Sequence, residues 1–478
     1  MRTRRGAIGT AVAGLPIATL LTLPVPASAH ALHGDVDAPL PLAAYLVGAA
    51  IAVGLSFVFV AISDGSPAPE RPPGRLRTVP RWARLGLRAV GLAAWSWVVL
   101  QTLTGGDSDA EVASIVLWVF GWVGLAVVSA LLGPAWSWLD PFSTLRDLVS
   151  WLGRRLGLGT SGRDADAARA GEPKTMAWPA RVAAWPAAFL LAVFVWLELA
   201  AKVGAGRPLG LVLVGYTALT LIGMARWGRD RWRKHAEVFS VWFGLLGRLA
   251  PYGLEGPAES GQLRRRGFGS ALADSPWSMS LLAVVAIGAG SVIWDGVSQM
   301  QPFANLVGSP GLLGETLLLG GFLVLLVWLV LRVASRVGMA AMGAGLVPVA
   351  TGYLVAHYLG YLLVEGQRIV VALSDPLQQG WDLLGTAAWE PRDDWLATSM
   401  LWTIQVAAVV LGHVTGAWLG HSAVRRERQD GRHVSQWPLA ALMISLTVLA
   451  LWSLGQNLVF VPEVGPTVTS WASRSAGG

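Results

Sequence analysis

The chain contains no cysteine among its 478 residues. That removes disulfides, thiolate metal sites and cysteine nucleophiles at once. Any metal must then be held by His, Asp, Glu or backbone oxygen. Charge is scarce as well. Asp, Glu, Lys and Arg make up 14% of residues, against roughly a quarter in an average soluble domain. No polar stretch is long enough to be a soluble domain with chemistry of its own. Familiar enzyme signatures are missing too. There is no phosphate-cradling GxxxxGK[ST] loop and no HExxH. No G-x-S-x-G elbow surrounds a serine, so no nucleophilic serine is expected.

What the chain has instead is apolar sequence, 54% of it, in runs of bilayer-spanning length. The fold class expected is all-α: a multi-pass transmembrane helix bundle. Ten mature spans are predicted near 41–62, 84–104, 112–132, 181–201, 208–226, 278–296, 314–335, 343–372, 398–420 and 437–457. Tryptophans cluster at span ends, as in Trp95 with Trp97 and Trp136 with Trp138, where indole rings favour the headgroup level.

Residues 1–29 read as a secretory signal peptide. Arg2, Arg4 and Arg5 form the positive n-region, Ala7 to Leu23 the apolar region, and Ala27-Ser28-Ala29 the cleavage site. Cleavage after Ala29 makes His30 the mature N-terminus. The net charge of +7 could suggest nucleic acid, but the arginines fall in alternate connections. One set holds Arg71 to Arg81, Arg146 to Lys174, Arg229 to Lys234, Arg264 to Arg266, Arg332 with Arg336, and Arg425 to Arg432. The other set is neutral or acidic, with Lys202 and Arg207 the main exceptions, and includes Glu111, Asp375, Asp382 and Asp394. Under the positive-inside rule this predicts an inner-membrane protein with both mature termini outside and no role in binding nucleic acid.

Two amphipathic segments are too short to span. Residues 140–157 open with Asp140-Pro141, an N-cap followed by Pro at the first helical position. Residues 236–250 are similar. Both are expected to lie as helices in the interface near the inner face, with a re-entrant course as the alternative for the second. No internal repeat is evident, which weakens an inverted-repeat transporter reading.

Ionisable groups inside spans are costly and usually have a partner or a task. Two lone histidines stand out, His357 and His413. Tyr353, His357, Tyr361 and Glu365 recur every fourth residue, each offset by about 40°, which makes a slanting polar stripe. Gly352, Ala356 and Gly360 form a small-residue ridge beside it. Gly412, Gly416 and Gly420 form another, so the two helices should pack closely. His357 falls outward of the middle of its span and His413 toward the inner half of its own. The bland alternative is that each His simply hydrogen-bonds to a neighbouring helix. A bis-histidine haem between the two is the weaker cofactor reading, because their depths differ.

A second cluster is expected at the outer face, from Glu198, Asp295, Glu365, Gln367, Asp375 and Asp382, with His30 and His33 at the mature N-terminus. An N-terminal His chelates through amine and ring together. The candidate ligands of a divalent metal are therefore His30, His33, Glu198, His357 and His413, and the candidate catalytic groups His357, Glu365 and Asp295. The simpler alternatives are that acidic span ends are merely solvated and that Asp375 only caps a short helix ended by Gly385.

The strings AHYLGYLLVEGQ, SDPLQQGWDLLGT and VLGHVTGAWLGH resemble a family of polytopic bacterial membrane proteins labelled fenitrothion hydrolase. AEVFSVWFGLLGRLAPY and the mature start HALHG are similar to it as well, so the resemblance runs the length of the chain. It implies hydrolysis of a lipophilic organophosphorus triester with release of a phenol. Such chemistry is helped by a metal-activated water and a Lewis acid at the phosphoryl oxygen. The rival class is a transporter or metal-handling permease using the same intramembrane histidines as a relay. A membrane partner of another complex is the third reading. The bilayer and a small lipophilic substrate are the partners expected.

Overall fold

In lipid an apolar segment must satisfy its own backbone, and helix is how a single segment does so. The computed structural model describes residues 42–62, 74–105, 111–156, 175–308, 310–392, 394–427 and 436–455. The signal peptide, His30 and His33 lie outside the described residues.

All ten expected spans are helical: α1 (Leu42–Ile62), α2 (Arg81–Thr104), α3 (Ala113–Leu132), α6 (Trp185–Leu199), α7 (Gly206–Trp227), α11 (Met279–Ser298), α13 (Gly311–Val337), α14 (Met339–Val364), α16 (Thr398–Glu427) and α17 (Trp437–Leu454). Eight of these are long and apolar enough to cross a bilayer, while Ala43–Ser56 and Trp185–Leu199 are shorter apolar stretches. Shorter helices lie between them: α4 (Trp136–Leu139), α5 (Pro141–Arg155), α8 (Arg229–His235), α9 (Val238–Leu246), α10 (Ser270–Asp274), α12 (Gln301–Val307) and α15 (Ile369–Ser374). The chain is an all-α membrane protein.

Side-chain contacts sort the connections into two ends. Leu76–Thr78 (β1), Tyr252–Leu254 (β2) and Gln262–Arg265 (β3) make a small antiparallel sheet in the order β1-β3-β2, with Leu76 opposite Arg264. Arg88 and Arg229 both reach Asp147, and the Trp138 indole donates to the Ala258 carbonyl. These contacts gather three arginine-rich connections at one end. At the other end Trp97 Nε1 donates to the Pro376 carbonyl and Trp118 Nε1 to the Gly204 carbonyl. Trp196 Nε1 there donates to Thr316 Oγ1. We call these the arginine-rich end and the acidic end. The segregation matches the charge alternation in the sequence.

Burial identifies the centre. The most apolar windows of α11 and of the segment Met339–Ser374 are each 83% buried, against 28% for α13, whose outer side is apolar and exposed. A single residue, Gly338 with φ 100°, turns α13 into α14. Helices α14 and α16 touch backbone to backbone along the two glycine ridges. A Cβ on Gly352 would lie 2.4 Å from the Ala408 carbonyl oxygen, and one on Gly416 would lie 2.4 Å from that of Gly345. Small residues are what allow this approach.

The two short amphipathic segments behave differently. Asp140 caps α5, accepting from Phe142 N and Ser143 N, and the helix exposes Leu148, Val149, Trp151 and Leu152. That suits an interfacial helix. Residues 236–250 are packed into the bundle, which the re-entrant alternative also allows. Helix α9 is enclosed by protein, with Trp242, Phe243 and Leu246 essentially inaccessible. Trp242 stacks on Trp122 at 5.8 Å and occupies the space beside Gly288 where a Cβ would otherwise sit. A helix apolar all round is driven inside rather than onto a surface.

Candidate functional site at the acidic end

Asp295 lies in the last turn of α11, on a helix whose preceding residues from Leu281 to Ile293 carry no ionisable side chain. Its carboxylate faces α14. His357 Nε2 is 3.0 Å from Asp295 Oδ2, and Tyr358 donates its hydroxyl to the same oxygen at 2.8 Å. Gln299, one turn on, donates to Oδ1 at 2.6 Å. Three donors thus converge on one acceptor-only group, which fixes its position. The imidazole and the carboxylate are 12% and 15% exposed, so the pair is sheltered but reachable. His357 Nδ1 bonds to no described residue and is not buried away.

The close approach of α11 to α14 depends on Gly296. A Cβ there would come within 2.9 Å of the Tyr353 hydroxyl and 3.3 Å of His357 Cε1. Tyr353, deeper on the stripe, bonds Ser453 of α17 at 2.7 Å and backs the histidine. Glu198, from α6, lies in the electrostatic field of both Asp295 and Lys202 and also acts on Tyr358. Four helices therefore meet here.

The stripe of α14 runs from core to surface, since Tyr353 is 3% exposed and Tyr361 37%. Glu365 ends it, in a short 3₁₀ turn, and is paired within its own turn to Arg368 at 2.7 Å. The structure brings His357 and Asp295 together as expected but does not bond Glu365 to them. His413 is a clearer correction. Gln405 bonds the Ala356 carbonyl, while Gly412 abuts the Pro348 carbonyl. His413 therefore sits two turns, about 12 Å, deeper than His357. It is fully buried, its Nδ1 is bonded to the Val409 carbonyl at 2.8 Å, and its Nε2 has no partner among the described residues. The two histidines thus lie at different levels of the bundle.

Among the described residues no three His, Asp or Glu side chains gather to hold a metal ion. Glu198, His357 and His413 do not form one site, and His30 and His33 lie outside the described residues. The acidic loop is likewise structural. Asp375 accepts from Gln379 N and Gly380 N, closing a turn rather than capping the expected helix. Asp382 accepts from Ser374 Oγ at 2.7 Å and Ala387 N at 3.0 Å.

Sequence reasoning missed Tyr358 and Gln299. Both flank residues it singled out, but Tyr358 lies about 100° round the helix from the stripe, so periodicity set it aside. It also missed Glu237, which is fully buried at the arginine-rich end and accepts from Tyr216, Trp136 and two backbone amides. Burial and the neighbouring Asp140 push the Glu237 carboxyl up. No protein-family model, no curated protein and no solved structure matches the chain.

Proposed function

We propose that the protein is a membrane hydrolase of lipophilic phosphoric triesters, with His357 as general base at the acidic end, on the outer face of the inner membrane. The observation that carries this reading is the 3.0 Å bond between His357 Nε2 and an Asp295 held by two further donors. A carboxylate that orients an imidazole through one nitrogen leaves the other to take a proton from water. Water adds to phosphorus, the bond to the aryloxide breaks, and the water proton passes to Nδ1. Asp295 remains a carboxylate and stabilises the imidazolium until the proton leaves to the aryloxide or to bulk. The resemblance noted above supplies the substrate class. A divalent ion would assist by polarising the phosphoryl oxygen. Among the described residues no three His, Asp or Glu side chains gather to hold one.

A relay across the membrane would need further proton carriers beneath the pair. The next turns of α11 carry no ionisable side chain, and His413 has no acidic or basic partner among the described residues. A carboxylate–histidine pair placed at one end of the bundle suits chemistry reached from one side. A permease remains the second reading because of Glu198, a second carboxylate brought from a third helix into the field of Asp295, as ion and proton carriers use.

One preparation tests both. The protein is purified, its metal content measured, and phenol release from an aryl phosphotriester followed in proteoliposomes that carry an internal pH dye. His357→Ala should lower turnover by roughly 10²–10⁴-fold, the usual worth of a general base. Asp295→Asn should shift the acidic limb of the pH–rate profile. Turnover unchanged in His357→Ala would refute the assignment. Proton movement lost in the same variant, with no phenol released by the wild type, would move the pair to a permease.

A further inference from the structure

At the arginine-rich end, far from the His357 pair, a cavity of about 200 Å³ opens between α4, α9 and β2. Its polar lining comes from Ser129, Ser137, Ser240, Tyr252, Arg248 and Arg266, and no carboxylate lines it. Arg266 is braced from behind, donating through Nε to the Ala250 carbonyl at 3.1 Å and through Nη2 to the Gly247 carbonyl at 2.7 Å. Arg266 Nη1 lies close over Gly253, 2.5 Å from where a Cβ would sit. Arg248 stacks over the Trp277 ring at 4.7 Å and donates to the Pro276 carbonyl at 3.3 Å. Each guanidinium has five N–H donors, so both keep donors to spare. The Ser129 hydroxyl is fully buried against the cavity and has no partner among the described residues.

The surrounding charges leave this site positive. Burial, and then the charge of Arg266, pushes the Arg248 guanidinium down to about 10. Asp274 acts on Arg266 from outside the lining. The oxygens of Glu237 are already taken by Tyr216, Trp136, Phe239 N and Ser240 N. Two arginines and a buried serine hydroxyl with no partner among the described residues line the same cavity. Planar guanidinium forks match the oxygens of a phosphoryl group.

We infer that this cavity binds a phosphoryl oxyanion, either the headgroup phosphate of an anionic lipid or free inorganic phosphate. Its level favours the lipid. Phe268, two residues from Arg266, and Met279, two residues from the Trp277 ring that Arg248 covers, are exposed apolar side chains, as suits a lipid headgroup boundary.

The test uses the whole protein in nanodiscs of phosphatidylcholine, with thermal unfolding as the readout. Adding phosphatidylglycerol to the discs, or inorganic phosphate to the buffer, should raise the midpoint. Arg248→Gln and Ser129→Ala should each weaken the effect, the arginine change by about tenfold in apparent affinity, as for loss of one charge-assisted bond. Arg264→Gln is the control. It removes the same charge from an arginine already paired with Glu255 at 2.7 Å, outside the cavity, and should respond like wild type. Stabilisation by phosphatidylglycerol alone assigns a lipid headgroup, and stabilisation by phosphate in neutral discs assigns free phosphate. No stabilisation by either, or an equal response in Arg248→Gln and Arg264→Gln, overturns the proposal. Ser129→Ala keeps it falsifiable should Arg248→Gln fail to fold.

Discussion

The contact between α14 and α16 permits a prediction in which one chemical change has opposite signs at two places. At Gly352 a methyl group would meet the Ala408 carbonyl oxygen at 2.4 Å and Gly412 Cα at 3.0 Å. Both are backbone atoms, so no rotamer change relieves the clash and the helices must separate. Overpacking of this kind costs about 1–3 kcal/mol. At Gly320, exposed on α13, a methyl group would meet nothing within 4 Å. There, replacing a mid-helix glycine by alanine gains about 0.5–1 kcal/mol from the unfolded chain. Gly352→Ala and Gly320→Ala should therefore differ by about 1.5–4 kcal/mol. Reversible unfolding of the purified protein in mixed micelles measures this directly. Gly412→Ala, whose Cβ would lie 2.7 Å from the Pro348 carbonyl oxygen, should resemble Gly352→Ala. The double variant should cost less than the sum, because one displacement of α16 relieves both clashes. Equal stabilities for the Gly352 and Gly320 variants would show that the helices are not in contact along these ridges.

Two further outcomes follow from groups outside the spans. Glu237→Met removes the acceptor for two backbone amides, the Tyr216 hydroxyl and the Trp136 indole, and an unsatisfied buried donor costs about 1–3 kcal/mol; the variant should unfold several degrees earlier, and an unchanged midpoint would show that these donors find other partners. Donation from Ser374 and the backbone holds the Asp382 carboxyl below its usual range, so its contribution to loop order is present above the unfolded carboxyl pKa and is lost as pH falls through the depressed folded value; amide protection factors in residues 383–387, taken against the intrinsic rate at each pH, should fall on acidification, and should already be low and unchanged over that range in Asp382→Asn.

The spans were readable because hydropathy and length are sufficient when the solvent is lipid. The glycine ridges were readable because small residues at helical spacing have one use. The Asp140 cap was readable for a similar local reason. What escaped was relational. Strands β1 and β3 read LRT and QLRR, with no apolar alternation, and they pair only because the fold brings their loops together. Helix α9 looks amphipathic in outline. Its burial follows from Trp122, Gly288 and Trp136 gathering round it from three other elements. The bond between Asp295 and His357 joins residues far apart in sequence, and nothing local to either encodes their register. Depth was the exception. Counting residues along two antiparallel helices was enough to suspect that His357 and His413 are not one site.

The placement of polar groups also explains why the pair can function without unsettling the bundle. Burying a charge is costly in proportion to how far it lies from water. Asp295 meets that cost at the last turn of α11, where three donors replace its hydration and water can approach. The inward turns then carry no ionisable side chain and pack against α9 and α14, with Ser291 bonded back to its own helix. His413, inside that centre, is tolerated differently: its ring hydrogen-bonds back to its own helix at Val409 and so asks nothing of its neighbours. One histidine is thus tied across helices to an acid at the rim, the other turned back on its own backbone in the core. Only the first arrangement leaves a ring nitrogen where a substrate could use it.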